Sequence, residues 1–197
     1  MLKYARIMGR LLLACWLLSV CSPAWTMAAC GEDVARAAQD QVGVTLYYDP
    51  SYVKLAYPGG DIPLERGVCT DVVIRALRQA GIDLQMLIHQ DMRANFKAYP
   101  QNWGLSGPDR NIDHRRVPNI IAYHTRQGLS LPLPIAADKL KAGDLITWML
   151  PGNLPHIGVV SRAQGQEVWI VHNIGAGAQE EMVLFSWPIT SHLRPLK

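Results

Sequence analysis

Cys69 stands where a loop turns into a helix, in Glu65-Arg66-Gly67-Val68-Cys69-Thr70-Asp71-Val72-Val73-Ile74-Arg75-Ala76-Leu77. A helix N-terminus presents free N–H groups and the positive end of a dipole, which favour a thiolate over a thiol. Downstream lie His156, in Leu154-Pro155-His156-Ile157-Gly158-Val159-Val160, and His172, in Val168-Trp169-Ile170-Val171-His172-Asn173. A cysteine, a histidine and a polar orienter, assembled by folding, form the arrangement that nucleophilic acyl transfer uses. The histidine takes the proton from the thiol and returns one to a departing amine, while its partner holds the ring in the productive tautomer. Taken alone, Cys69 divides evenly between a buried structural cysteine, or half of a bridge with Cys30, and a nucleophile. The two histidines tip the balance to the nucleophile.

Simple hairpin arithmetic relates the histidines. Pairing Ile157 to Ser161 with Val168 to Val171 about a turn at Gln164-Gly165 sets His156 opposite His172 or Asn173. Residues directly opposite on paired strands lie about 4.5–5.5 Å apart at Cβ. A slip of one residue turns His172 to the other face, which leaves Asn173 as the alternative orienter. Two polar residues facing each other at the end of an apolar hairpin are not tolerated cheaply without partners.

The elements that must position these residues read as an α+β order. Asp33 to Gln41 is a helix with Val34, Ala37 and Ala38 on one side, and Tyr47 to Gly60 is a loop. Thr70 to Ala80 is the central helix, with Val73, Ile74, Leu77 and Ala80 at helical spacing and Gly81 as its stop. A further helix covers Leu84 to Lys97, and Tyr99 to Pro118 is polar and turn-rich. Strand-like segments begin at Ile120 to Tyr123 and continue at Asp144 to Trp148, His156 to Ser161, Val168 to His172 and Glu181 to Trp187. Helices first and strands later predict a helical layer on an antiparallel sheet.

The bounds of the chain set the compartment. Lys3, Arg6 and Arg10, the apolar Leu11 to Val20 and the small-residue zone Thr26-Met27-Ala28-Ala29 have the order of a secretory leader. Residues 1–29 are therefore expected to be removed on export, leaving residues 30–197 as one domain in the periplasm or outside the cell. Lipid anchoring at Cys30 is the rival, and Met27 fits it poorly. No second apolar run follows, so no stable membrane insertion is expected of the mature chain, and a monomer is expected. Only Cys30 and Cys69 survive such processing, which is no disulfide framework. A net charge of +3 is too weak to argue for nucleic acid.

A resemblance sharpens the reading. The runs Lys141-Ala142-Gly143-Asp144-Leu145-Ile146-Thr147-Trp148, Pro155-His156-Ile157-Gly158-Val159-Val160 and Trp169-Ile170-Val171-His172 resemble the back half of the NlpC-type papain-like cell-wall peptidases. Asn111-Ile112-Asp113-His114-Arg115-Arg116-Val117-Pro118-Asn119, with the Gly143 to Trp148 run, resembles more closely an exported bacterial family, domain of unknown function 1287, placed in the same papain-like group. The resemblance implies a papain-like α+β fold with the nucleophile helix packed on the sheet. It implies Cys69 as nucleophile, His156 as base, His172 as orienter and Tyr57 beside the oxyanion site, without metal or cofactor. It implies peptidoglycan or a cell-wall peptide as partner. The peptidases carry Asp-Cys-Ser-Gly at the nucleophile where this chain has Val68-Cys69-Thr70-Asp71, so their bond specificity does not transfer.

The polar stretch Asp109 to Asn119 has two readings of equal weight. It is a solvated loop with local pairing, or Asp113, His114, Arg115 and Arg116 face substrate, the arginines gripping a carboxylate through two parallel hydrogen bonds. Two other classes of function compete with the hydrolase. A metallohydrolase would use His114, His156 and His172 with Asp113 or Asp144, but no His-Glu-x-x-His run supports it. A non-catalytic envelope-binding module, or an acyltransferase or transpeptidase, would keep the same shape.

Overall fold

The computed structural model describes residues 29–196, so the expected leader lies outside the described residues apart from Ala29. Helix α1 (Gly31–Gln39) carries Glu32 and Asp33 in its first turn, where carboxylates meet the positive end of the dipole. Its buried side is Val34, Ala35 and Ala38. Strands β1 (Tyr47–Tyr48) and β2 (Arg66–Gly67) pair in parallel over two residues. Helix α2 (Cys69–Gln79) follows at once.

Extended backbone at Val68 starts α2, and the Asp71 carboxylate reaches back to accept the Val68 N–H at 2.7 Å. Val72, Val73, Ala76 and Leu77 are fully buried, and truncating a residue such as Leu77 to alanine costs about 2–5 kcal/mol. Gly81, at φ 80°, lets the chain turn left-handed and leave the helix. Helix α3 (Leu84–Asn95) is capped by Asp83, whose carboxylate accepts the N–H of Gln85 at 3.0 Å.

Helix α4 (Val117–Arg126) replaces the loop end and the strand expected at Ile120 to Tyr123. The β-branched pair Ile120-Ile121 reads as strand locally, but Pro118 sits in the first turn, where its missing N–H costs nothing. Val117, Ile120 and His124 then turn inward together at helical spacing.

The main sheet comprises β3 (Ser130–Leu131), β4 (Leu145–Leu150), β5 (Leu154–Gln164), β6 (Glu167–Asn173), β7 (Ala178–Glu181) and β8 (Ile189–Leu193). Its order is β3-β8-β4-β5-β6-β7, and every pair is antiparallel. The strand expected over Glu181 to Trp187 is not formed: β7 ends at Glu181, and Ser186 closes a turn on the Val183 carbonyl. The strand lies further on, as β8. Here Val183, Leu184 and Trp187 pack on the sheet face instead of joining it, and the Leu184 carbonyl accepts the indole N–H of Trp148 at 2.9 Å.

Strand alternation splits the apolar residues into two layers. Leu145, Ile157, Val159 and Val171 meet Val72, Val73, Leu77 and Cys69 on the helical side. Ile146, Trp148, Val160 and Ile170 meet Ala137, Leu140 and Leu184 on the other. The architecture is thus α+β, a helical layer packed on an antiparallel sheet. Among the described residues no helix is long and apolar enough to cross a membrane.

The hairpin of β5 and β6 differs in register from the arithmetic. Gln164 pairs with Glu167, so the turn is Gly165-Gln166, and Ser161 is an extra residue between the pairs Val160–Ile170 and Arg162–Trp169. The last pair toward the strand ends is Val159–Val171, so His156 has no partner directly opposite it on β6. Beyond that pair Gly158 keeps the strands close: a Cβ there would lie 2.6 Å from Ile170 Cγ2 and 3.2 Å from His172 Cβ.

Candidate active site

His156 and His172 are nevertheless in contact. His156 Nε2 lies 2.8 Å from His172 Nδ1, and both rings are buried. Trp148 is paired with His156 across β4 and β5, with its ring 5.7 Å from the imidazole. Trp187 closes the other side, 6.1 Å from the His156 ring and 6.3 Å from that of His172. The two indoles exclude water from the imidazole pair. Burial, and then the neighbouring His172, press the His156 pKa down to about 3. Burial also lowers that of His172, against the hydrogen bond to Glu181 that raises it. Both rings are therefore neutral near pH 7, and a neutral imidazole has a lone pair with which to take a proton.

Cys69 is the first residue of α2 and is 6% exposed. Its sulfur lies on the sheet near the backbone N–H of Ile157, the residue after His156, and that N–H favours the thiolate. Ile157 lies where β5 runs on past its last pair with β6. Among the described residues no hydrogen bond joins Cys69 to His156 directly. Burial pushes the thiol up to about 12, outweighing the Ile157, Thr70 and Cys69 backbone N–H groups that favour the thiolate. The resting state is a neutral thiol and, on the Trp148 face of β5, a neutral imidazole, not the thiolate expected from the helix terminus alone.

A cleft of about 400 Å³ opens over the thiol, lined among others by Tyr48, Cys69, Trp103, Arg116, Asn153 and Pro155. Tyr48 is the tyrosine of this cleft. Burial, then the Cys69 sulfur and the Asp71 carboxylate, hold its hydroxyl above the usual phenol range. Tyr57, expected beside the oxyanion site, instead packs edge-on against His89 at 5.3 Å with the Arg110 guanidinium 5.5 Å from its ring. The interval from Tyr57 to Cys69 points to the wrong ring because β1 brings Tyr48 alongside the turn before the thiol.

The polar stretch divides. Arg115 is engaged inside the protein: its guanidinium holds both oxygens of buried Asp71 at 2.9 Å each and donates to the carbonyls of Ser51 and Asp49. It fixes the turn before Cys69, because Asp71 also holds Val68. Asp113 and His114 are buried as well, 1% and 2% exposed, and neither lines the cleft. Asp113 accepts the Arg116 guanidinium at 2.9 Å, and burial raises its pKa. Burial and the nearby Arg115 and Arg78 charges push His114 down to about 3. Arg115 and Arg116 both line the cleft, Arg115 held by Asp71 and Arg116 stacked 4.0 Å over the Trp103 ring.

Asn173, the alternative orienter, is turned to the helical side, where its amide donates to the Gly67 carbonyl at 3.0 Å. Residues that the sequence reading missed are Tyr48, Trp187 and Glu181. Glu181 Oε2 lies 3.0 Å from His172 Nε2. Strand alternation carries a signal for it: Gln179 pairs with His172, so Glu181, two residues on, shares that face.

The family described as "Domain of unknown function (DUF1287)" matches residues 35–195. The chain belongs to that family. It is 53% identical over 163 residues to "Uncharacterized protein YijF" of Escherichia coli (strain K12), covering 82% of this chain and 80% of that protein. Among solved structures, NlpC1 from Trichomonas vaginalis is 14% identical with a TM-score of 0.44, covering 85% of this chain and 45% of the other. NlpC2 from the same organism gives 14% identity, a TM-score of 0.44 and coverages of 83% and 46%. An NLP/P60-family protein from Staphylococcus aureus gives 13% identity, a TM-score of 0.41 and coverages of 83% and 42%. This DUF1287 chain thus spans less than half the length of each of those structures.

Proposed function

We propose that this domain is an exported cysteine hydrolase that opens peptide or amide bonds of peptidoglycan through a thioester. The observation that carries the reading is the 2.8 Å contact between two buried, neutral imidazoles next to the peptide whose N–H favours the Cys69 thiolate. Substrate carbonyl enters the cleft over Cys69, His156 takes the S–H proton as sulfur attacks, and the oxyanion forms beside the N–H groups of the first turn of α2. Tyr48 is the added hydroxyl donor there, in the role expected of Tyr57. His156 then gives its proton to the leaving amine, and water, deprotonated by the same ring, hydrolyses the thioester. Arg116, held flat on Trp103, is the cation placed to meet a substrate carboxylate. The leader-like order of residues 1–29 supports a place for this activity in the periplasm or outside the cell.

Mature protein incubated with whole peptidoglycan, with products resolved by mass, tests the proposal. Cys69→Ala and His156→Ala each abolish fragment release while the fold persists, because residues acting as one unit give non-additive losses. His172→Ala is milder. Arg116→Gln weakens cleavage of stem peptides with free carboxylates more than of amidated ones. A Cys69→Ala protein that still cleaves refutes the mechanism.

One observation favours a second reading, a non-catalytic module that binds the envelope: the thiol is buried and held up to about 12. Wild-type protein that binds peptidoglycan yet releases nothing from any wall preparation supports it. Release of joined rather than cleaved stem peptides points to a transpeptidase using the same residues.

A further inference from the structure

We propose that Glu181 is a positioning residue that sets the tautomers of His172 and His156, so that the free lone pair of the pair falls on His156 Nδ1. The inference rests on the hydrolase reading for its purpose, but its geometry stands apart from it. A carboxylate only accepts hydrogen bonds, so Glu181 Oε2, 3.0 Å from His172 Nε2, requires the proton of that ring on Nε2. His172 Nδ1 is then bare. It lies 2.8 Å from His156 Nε2, and a bare nitrogen there requires a donor, which puts the His156 proton on Nε2. Nδ1 of His156 is left without a proton and, among the described residues, without a hydrogen-bond partner. Burial keeps each ring neutral, so neither has a second proton with which to escape this order.

The reverse order is disfavoured at both contacts. With the proton on His172 Nδ1, lone pairs would face each other at the Glu181 oxygen, and His156 would have to expose its own Nε2 lone pair and keep its proton on Nδ1. That tautomer cannot accept a proton at Nδ1. Glu181 is well placed to impose the choice because it is half-exposed, where its charge is cheap to keep, while His172 beneath it is fully buried. During acyl transfer the S–H bond breaks, its proton bonds to His156 Nδ1, and the ring becomes an imidazolium whose Nε2–H stays on His172. The same Nδ1 proton later goes to the leaving amine, so nothing is gained or lost by the relay. Glu181 touches neither substrate nor sulfur. It acts through His172.

Nitrogen-15 NMR of histidine-labelled protein near pH 7 tests this without any substrate. The wild type is expected to show both His156 and His172 with protonated Nε2 and unprotonated Nδ1. Glu181→Ala, a change at a half-exposed position, is expected to fold normally and to give His172 a mixed-tautomer pattern. A wild type with His172 protonated on Nδ1, or a folded Glu181→Ala protein whose two rings keep the wild-type pattern, overturns the inference. Activity is read separately: fragment release that Glu181→Ala lowers on the order of 10-fold through kcat, with KM little changed, supports the catalytic purpose. If the tautomer pattern is as expected but the wild type is inert on every wall preparation, the hydrolase reading fails and the tautomer assignment stands.

Discussion

The side-chain amide of Asn173 donates to the carbonyl of Gly67 at 3.0 Å, tying the end of the strand that carries His172 to the turn that carries Cys69. The same side chain accepts the Gly175 N–H at 3.1 Å, so both ends of the amide are occupied.

Asn173→Ala should therefore do more than lower stability. The Gly67 carbonyl keeps the Asp49 N–H at 3.0 Å but loses the amide, and losing that hydrogen bond costs about 0.5–1.5 kcal/mol, read from urea unfolding. Activity should fall further than stability predicts, because the distance from thiol to imidazole is no longer fixed. A variant that loses stability yet keeps full activity would show that the tie is structural only.

Thiol alkylation against pH should report a buried, neutral Cys69. Exposed Cys30 reacts first. In a Cys30→Ser background, the rate at Cys69 should be slow and still rising beyond the ordinary thiol range near 8.5, since burial holds the group up to about 12. A plateau reached below pH 8 would mean that the thiolate is the resting species and that the thiol is not held neutral.

Removing Arg115 leaves the Asp71 carboxylate charged and unpaired, and both side chains are almost fully buried, 2% and 5% exposed. Arg115→Met should cost about 3–5 kcal/mol. Adding Asp71→Asn should recover part of that loss, because the orphaned charge is gone. Strictly additive losses in the double variant would argue that the pair does not act as one unit.

Acid should unfold the domain early. His156 and His114 are each held down to about 3, below an unfolded value near 6.5. A group whose folded pKa is depressed lends stability that is complete above the unfolded pKa and lost as pH falls toward the folded one. Between about pH 6.5 and 4 the unfolded chain therefore binds more protons, and each such histidine removes up to about 1.4 kcal/mol per pH unit. Urea midpoints measured from pH 7.5 to 4.5 should fall throughout that window, and His114→Phe should flatten the slope by close to one proton. Midpoints constant over the window would rule out neutral buried histidines.

The α+β order, the helix opened by Cys69 and the strands bearing His156 and His172 were legible because each carries its own local pattern. Val73, Ile74 and Leu77 keep helical spacing, and β-branched runs mark β5 and β6. What failed depended on the rest of the molecule. Ile120-Ile121 looks like strand until the core beneath α4 decides otherwise. Arg115 looks like a free cation until Asp71, far from it in sequence, is brought against it. Tyr57 has the right interval from Cys69, but the parallel pairing of β1 with β2 delivers Tyr48 to the cleft. The register of the hairpin was missed because an unpaired residue leaves no mark in composition.

That unpaired residue, Ser161, marks where the hairpin tolerates a change of length. His156 and His172 are sixteen positions apart, and the pairs Val160–Ile170 and Arg162–Trp169 close up on one another if the residue between them is lost. A chain shorter by that one residue keeps every pair and both histidines on their face. Loss of a residue between His156 and Val159 is different, because Val159 stays paired with Val171 while His156 moves one step and turns to the helical side. Among relatives, the spacing of the first histidine from the start of the pairing is therefore stricter than the spacing of the two histidines from each other.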